Sequence, residues 1–407
     1  MTSTELNRPV NASAGEEGWG VVDTVLEGLA RQGRSALTEC SAGLFANLAG
    51  SSADSLILFG AGPLGKFTLA GLRRAGVEPK AFTDNNPELW NQSVDNLRVM
   101  PPAQAAEQYG ERAAFVVTIY NGSGVRRQLR DLGCRAVIPF AALFWRYSDI
   151  FIPDSGLQLP QTILQSSSEI DACYEILADD LSRRELREQI KWRCTLDFDV
   201  LSPPSSPRNI YFEPDLIRYR DDEVLIDCGA FDGDTVRSFL GLPERKFKHV
   251  YAAEPDPANR IAFQNFVGGL PDMVRRCITL WPYAIGKQDG KVGFRVTSTA
   301  ASRIDKSDYY EVECRSLDSL LQERGLTPTY IKMDIEGAEP AAIEGAAETL
   351  RNAMPVLSAC LYHRCEHLWQ IPLLISRLAP EYKLFIRRYA EECWELVCYA
   401  VPVSRLA

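Results

Sequence analysis

The sequence predicts an α/β protein built from two three-layer αβα units joined by a helical segment. Three observations carry this reading. Two strand–glycine-loop–helix turns occur, one at Gly60 and one at Gly229; short apolar runs alternate with helix-spaced segments; and two closing apolar runs are separated by only a few residues.

The elements follow in order. Residues 1–17 are polar and expected to be disordered, while Val22, Leu26, Leu29 and Leu37 recur at helical spacing, so residues 1–50 read as a loose start with one or two helices. Leu56 to Phe59 reads as a buried strand, followed by the turn Gly60-Ala61-Gly62-Pro63-Leu64-Gly65 and a helix through Arg74. Further strands at Pro79–Phe82, Phe115–Ile119 and Ala136–Pro139 complete a first unit over residues 51–150. Residues 151–210 are charged and helical until a break at Pro203, Pro204 and Pro207, where proline cannot continue a helix. The second unit, residues 211–407, reads as strands at Val224–Cys228, Val250–Glu254, Ile278–Ile285, Tyr330–Asp334 and Val356–Tyr362. Tyr382–Arg388 and Trp394–Val401 close the chain, and the short loop between them makes an antiparallel hairpin.

Composition narrows the function classes. Of 407 residues, 46% are hydrophobic and 24% charged, which is ordinary for a chain with a real core. The net charge of −10 gives no general attraction to nucleic acid or an anionic membrane. No apolar run approaches the roughly 20 residues that span a bilayer. The polar N-terminus lacks the apolar centre of a secretory leader, so a cytoplasmic location is expected. The 11 cysteines follow no regular spacing, and Cys228, Cys277 and Cys360 lie in apolar runs, which fits buried free thiols.

The two glycine loops differ in their charge. Both place backbone N–H groups at a helix N-terminus, which favours anionic groups. The first, Gly60, Gly62 and Gly65 followed by Lys66, contains no acid; Asp84 follows at the end of the next strand, about 20 residues on, the spacing of a dinucleotide fingerprint. It marks a possible second nucleotide site; alternatively the glycines only permit a tight turn and close packing. The second loop, Asp227-Cys228-Gly229-Ala230-Phe231-Asp232-Gly233-Asp234-Thr235, is crowded with carboxylates that would repel a pyrophosphate. S-adenosylmethionine, with a sulfonium and an ammonium, suits it. Glu254 ends the following strand, where a carboxylate can accept from both hydroxyls of a ribose.

These residues resemble the FkbM family of methyltransferases. The likeness runs through most of residues 210–400, in Leu225 to Thr235, Ala253-Glu254-Pro255-Asp256, Tyr283-Ala284-Ile285-Gly286, Ala301 to Ile304, Ser316 to Leu321 and Ile331-Lys332-Met333-Asp334-Ile335-Glu336-Gly337-Ala338-Glu339. It implies a class I methyltransferase fold, S-adenosylmethionine as cofactor, and methylation of a hydroxyl on a saccharide or natural-product acceptor. By the same likeness, cofactor contacts fall on Asp227, Gly229, Phe231, Gly233, Thr235, Glu254, Pro255, Asp256 and Ala284, and Asp334 faces the methyl group. The first unit looks like Rossmann-like domains that accompany sugar-modifying enzymes. It would hold the acceptor's nucleotide or help orient it.

A neutral alcohol must lose its proton as it attacks, and Asp334, Glu336 and His363 are the candidates to take it. Asp334 could instead cap the following helix, and Glu336 and Glu339 could simply favour its N-terminus. Cys360, His363, Cys365 and His367 lack the spacing of a zinc set, so no metal site is expected, a divalent ion on Asp334 or Glu336 being the weaker alternative. Thr297 to Tyr310 reads as a lid, with Ser302 and Arg303 as acceptor contacts, or as a plain surface loop. Trp281, Tyr283 and Trp369 read as core or pocket wall. Two other functions compete: an NAD(P)-dependent oxidoreductase using the first loop, and a nucleotide or nucleotide-sugar binding protein without transfer activity.

Overall fold

The computed structural model describes residues 34–152, 157–242, 246–295, 303–304 and 310–407. Of the expected N-terminal features, Val22, Leu26 and Leu29 lie outside these residues, as does most of Thr297–Tyr310. The described part begins with the helix Arg34–Ala49, which buries Phe45 and Ala49.

The first unit is a six-stranded sheet. Its strands are β1 (Leu56–Phe59), β2 (Ala81–Thr83), β3 (Ser93–Val94), β4 (Leu97–Met100), β5 (Ala114–Val117) and β6 (Ala136–Pro139), in the order β3-β4-β2-β1-β5-β6. All pairs are parallel except β3–β4. The central strand is buried on both faces: Leu56 and Leu58 enter one core, Ile57 and Phe59 the other.

The second unit holds a seven-stranded sheet of β7 (Glu223–Cys228), β8 (Phe247–Ala253), β9 (Ile278–Trp281), β14 (Tyr330–Met333), β15 (Val356–Cys360), β16 (Tyr382–Arg388) and β17 (Leu396–Pro402), ordered β16-β17-β15-β14-β7-β8-β9. Between β9 and β14 in sequence, β10 (Ala284–Ile285), β11 (Gly290–Arg295), β12 (Arg303–Ile304) and β13 (Tyr310–Arg315) form a small separate sheet. β17 runs antiparallel to both of its neighbours, and every other pair in the large sheet is parallel. The expected single strand Ile278–Ile285 is therefore two strands in two sheets. Pro282 lies at the break and has no N–H to give a ladder.

Alternate side chains of β7 and β14 enter opposite cores: Ile226 and Ile331 one, Leu225 and Tyr330 the other. Each fully buried aliphatic side chain of this kind stabilises the fold by roughly 1.5–3 kcal/mol. The helices Pro160–Gln165, Ser167–Ile176 and Asp180–Thr195 contribute Ile163, Ile170, Cys173, Leu186 and Ile190 to the same core as Ile226. At the end of the last helix Trp192 turns into the core of the first unit. The described cysteines are all free; Cys228 and Cys360 are buried, while Cys277 is partly exposed.

Strand order reverses between β7 and β14. Connections from neighbouring strands leave there toward opposite faces, and a crevice opens beyond the carboxyl ends. Both the loop at Gly229 and Asp334 lie at this point.

Candidate active site

The loops after β7, β8 and β14 line one cavity of about 230 Å³. Its wall includes Gly229, Phe231, Asp234, Thr235, Glu254, Pro255, Tyr283 and Ala284 from the first side, and Asp334, Glu336, Tyr211, Tyr362 and Glu395 from the other. Most residues expected from sequence to hold a cofactor thus converge.

Gly229 must be glycine here. Its φ is +83°, and a Cβ would fall 1.9 Å from the carbonyl oxygen of Asp334. The close approach of the two loops narrows the crevice to backbone contact. Glu254 is buried against the loop. Its Oε2 accepts from the Phe231 N–H at 2.9 Å and its Oε1 from the Asp256 N–H at 2.8 Å. Burial pushes its carboxyl up to about 7, although both hydrogen bonds pull the other way.

Three expected contacts are placed otherwise. Asp227 is fully buried within β7 and is absent from the cavity wall. Its Oδ1 pairs with Lys332 Nζ at 3.0 Å. Burial raises the Asp227 carboxyl to about 6 against the pull of Lys332. Lys332 also donates to the Gly229 carbonyl at 2.7 Å and so braces the loop from beneath. Asp256 is likewise buried and caps the helix Pro257–Gly268, accepting from Ala258 N–H at 2.8 Å. Gly233 is the turn residue before the helix Asp234–Leu240, packed on Phe266 rather than lining the cavity.

The first glycine loop has an internal account. A Cβ on Gly65 would lie 1.9 Å from the Gly60 carbonyl oxygen. Both oxygens of Asp84 accept from the turn itself, Oδ2 from Ala61 N–H and Oδ1 from Asn86 N–H, each at 2.8 Å. Gly60, Gly62, Gly65 and Asp84 together build a tight strand–helix turn, and nothing in this geometry calls for a second nucleotide.

The three proton-acceptor candidates do meet. His363 Nε2 lies 3.2 Å from Asp334 Oδ1 and 3.5 Å from Glu336 Oε1. Its Nδ1 is 2.8 Å from Glu339 Oε1. Asp334 Oδ2 accepts from the Tyr211 hydroxyl at 2.7 Å, and Oδ1 from Tyr362 at 3.4 Å. Burial alone would raise the Asp334 carboxyl, but His363 and Lys332 outweigh it and hold it well below the usual carboxylate range. Burial disfavours a charged His363, yet Glu339, Asp334 and Glu336 together raise it well above its ordinary value. Glu339 is fully buried and also faces His367 Nδ1 at 3.4 Å. His367 is therefore bound into the same polar core, and Cys360 turns toward the Tyr211 hydroxyl at 3.6 Å, so the four Cys and His residues form no zinc set. Tyr283 is in the cavity wall, whereas Trp281 stacks on Tyr251 in the core and Trp369 donates to Glu169.

Tyr211, Lys332, Tyr362 and Glu395 were not singled out from sequence. Only Lys332 left a signal there: a lysine in the middle of the apolar run Tyr330–Met333 demands a buried counter-ion. Glu395 comes from the hairpin loop, which docks on the first unit. Glu392 pairs with Arg126 at 2.7 Å, Glu391 accepts from the Ser123 hydroxyl, and Trp394 packs edge-on against Tyr120 with centroids 4.5 Å apart.

Comparison with known proteins agrees with this geometry. Residues 227–393 match the family model described as the methyltransferase FkbM domain. The 2-O-methyltransferase NoeI of Sinorhizobium fredii (strain NBRC 101917 / NGR234) is 28% identical over 169 residues, which are 36% of this chain and 67% of that protein. The crystal structure of methyltransferase FkbM from Methylobacillus flagellatus KT superposes with a TM-score of 0.73 at 20% identity, over 93% of this chain and 99% of that one. Over residues 227–393, then, the chain is similar to the FkbM methyltransferases.

Proposed function

We propose that the protein is an S-adenosylmethionine-dependent O-methyltransferase whose acceptor is a hydroxyl of a saccharide or a polyhydroxylated natural product. The observation that carries this is the one cavity lined by Gly229, Glu254 and Asp334, with His363 paired to Asp334 behind the wall. The likeness to a 2-O-methyltransferase supports a hydroxyl acceptor.

The cavity suits the cofactor. Gly229 offers bare backbone, Glu254 points a carboxylate at the space where a ribose diol would be recognised, and Ala284 and Tyr283 give an apolar wall for a base. Asp234, Asp334, Glu336 and Glu395 surround the same space with negative charge, which favours a sulfonium and an ammonium. S-adenosylmethionine, when bound, supplies the methyl group. The chain's own part is to align the acceptor oxygen, which contributes several kcal/mol, and to receive its proton. Asp334 lies on the wall and is the proton acceptor in this reading. Tyr211 fixes its Oδ2, and His363, held by Glu339, lies behind Oδ1.

The test is calorimetric titration with S-adenosylhomocysteine. Micromolar binding by the wild type, weakened tenfold or more (about 1.4 kcal/mol) by Glu254→Ala, is expected. Failure of the wild type to bind, with clear binding of a dinucleotide or nucleotide sugar, would overturn the reading.

A further inference from the structure

We infer that Asp334, Glu336 and His363 form a binding site for one divalent metal cation at the acceptor end of the cavity.

The donor set comes first. One atom from each residue, two carboxylate oxygens and an imidazole nitrogen, lie within 4.8 Å of one another. His363 Nε2 is 3.2 Å from Asp334 Oδ1 and 3.5 Å from Glu336 Oε1. Two ligands on neighbouring corners of an octahedron, each about 2.1 Å from the ion, stand about 3 Å apart. The two histidine–carboxylate separations are therefore close to those of adjacent corners, and the third lies within 4.8 Å, near enough for one ion to bridge after small side-chain rotations.

The imidazole supplies an independent sign. The His363 side chain is only 7% exposed, and its Nε2 is buried without a hydrogen-bond partner although it points at two carboxylates. Without a cation the facing acids hold a proton on the ring, and a metal ion would displace it. A cation placed between it and the two oxygens satisfies all three. The opposite edge of the ring is already arranged as ligating histidines are: Nδ1 faces the fully buried Glu339 carboxylate at 2.8 Å, which fixes the ring's direction and makes Nε2 the free donor.

The surroundings are anionic. Glu395 and Asp234 share the cavity wall with the two acids. Lys332, the buried cation beneath, is committed to Asp227. A set of two oxygens and one imidazole suits Mn²⁺, Fe²⁺ or Zn²⁺ better than a soft ion. Three ligands from protein leave open positions on the cavity side. If the proposed function holds, one or two acceptor hydroxyl oxygens fill them, which would both orient the acceptor and ease loss of its proton.

The experiment is titration of the full-length, metal-stripped protein with Mn²⁺, following the free-ion signal by electron paramagnetic resonance without any methyl donor. Wild type, His363→Gln and Glu336→Gln are compared, and S-adenosylhomocysteine binding is measured on each. One Mn²⁺ per chain at micromolar affinity, weakened at least tenfold by both substitutions while S-adenosylhomocysteine still binds, supports the site. Retained S-adenosylhomocysteine binding with no Mn²⁺ uptake by the wild type, or with uptake that neither substitution alters, overturns it and leaves the acids to serve the methyl donor's positive charge. Loss of S-adenosylhomocysteine binding in the wild type strikes the methyltransferase reading instead. Should His363→Gln fail to fold, Glu336→Gln, at a side chain 24% exposed, decides alone.

Discussion

Arg126 of the first unit and Glu392 of the closing hairpin form an ion pair at 2.7 Å with both side chains almost wholly buried. Phe198 covers the guanidinium from above at 3.9 Å. Removing one partner strands the other charge away from water. Arg126→Ala is expected to destabilise the protein by about 3–5 kcal/mol in urea titrations. Adding Glu392→Ala should restore part of that loss, since the two sites are coupled.

A second pair, Lys332 with Asp227, is buried more deeply. Lys332→Met alone leaves a carboxylate without a counter-charge and should again cost about 3–5 kcal/mol. The double variant Asp227→Asn/Lys332→Met should recover much of the stability. Because Asp227 is outside the cavity wall, the recovered protein should bind S-adenosylhomocysteine within a few-fold of wild type. A much larger loss would show that the ligand needs the Gly229 loop braced by Lys332, or Asp227 through water, and Asp227→Asn alone separates the two.

Glu254 sets a pH dependence. Its carboxyl titrates near 7 in the folded chain and near 4.5 when unfolded. The native state therefore holds the proton more tightly, and the stability gained from this is complete below about 4.5 and lost as pH rises toward 7. Recognition of a ribose diol needs the ionised form. S-adenosylhomocysteine affinity should thus climb between pH 6 and 8 and then level off, and Glu254→Gln should flatten the curve. Calorimetry at several pH values checks both.

Gly229→Ala would force a Cβ into the Asp334 carbonyl and hold alanine at φ +83°. The backbone term alone is about 1–3 kcal/mol. A lowered melting temperature with loss of S-adenosylhomocysteine binding is expected, because the loop can yield only by widening the crevice.

Local signals made much of this legible in the sequence. The glycine loop, Glu254 at the end of its strand and Asp334 at the end of another are each readable from a few neighbouring residues, since strand ends and glycine turns are short-range features. Two things were not. The small sheet of β10 to β13 is not legible because its strands are short, β11 and β13 carry the charged Lys291, Glu311 and Glu313, and the apolar run across Pro282 reads as one strand. The side chains that tune the site escaped because their partners are remote: Tyr211 reaches Asp334 across 123 positions, and Arg126 reaches Glu392 across 266. A carboxylate in a sequence motif shows its place in the chain, but not whether it meets solvent, as Asp227 does not, or a cavity, as Glu336 does.

The hairpin loop makes neighbours of residues with separate allegiances. Trp394 sits among the aromatic rings of the first unit, against Tyr120 and Phe140, and the next residue, Glu395, is part of the cavity wall. One peptide bond thus acts as a lever between them. A substitution at Tyr120 or Phe140 that shifts Trp394 would therefore move the carboxylate of Glu395 at the cavity's edge without touching the cavity itself.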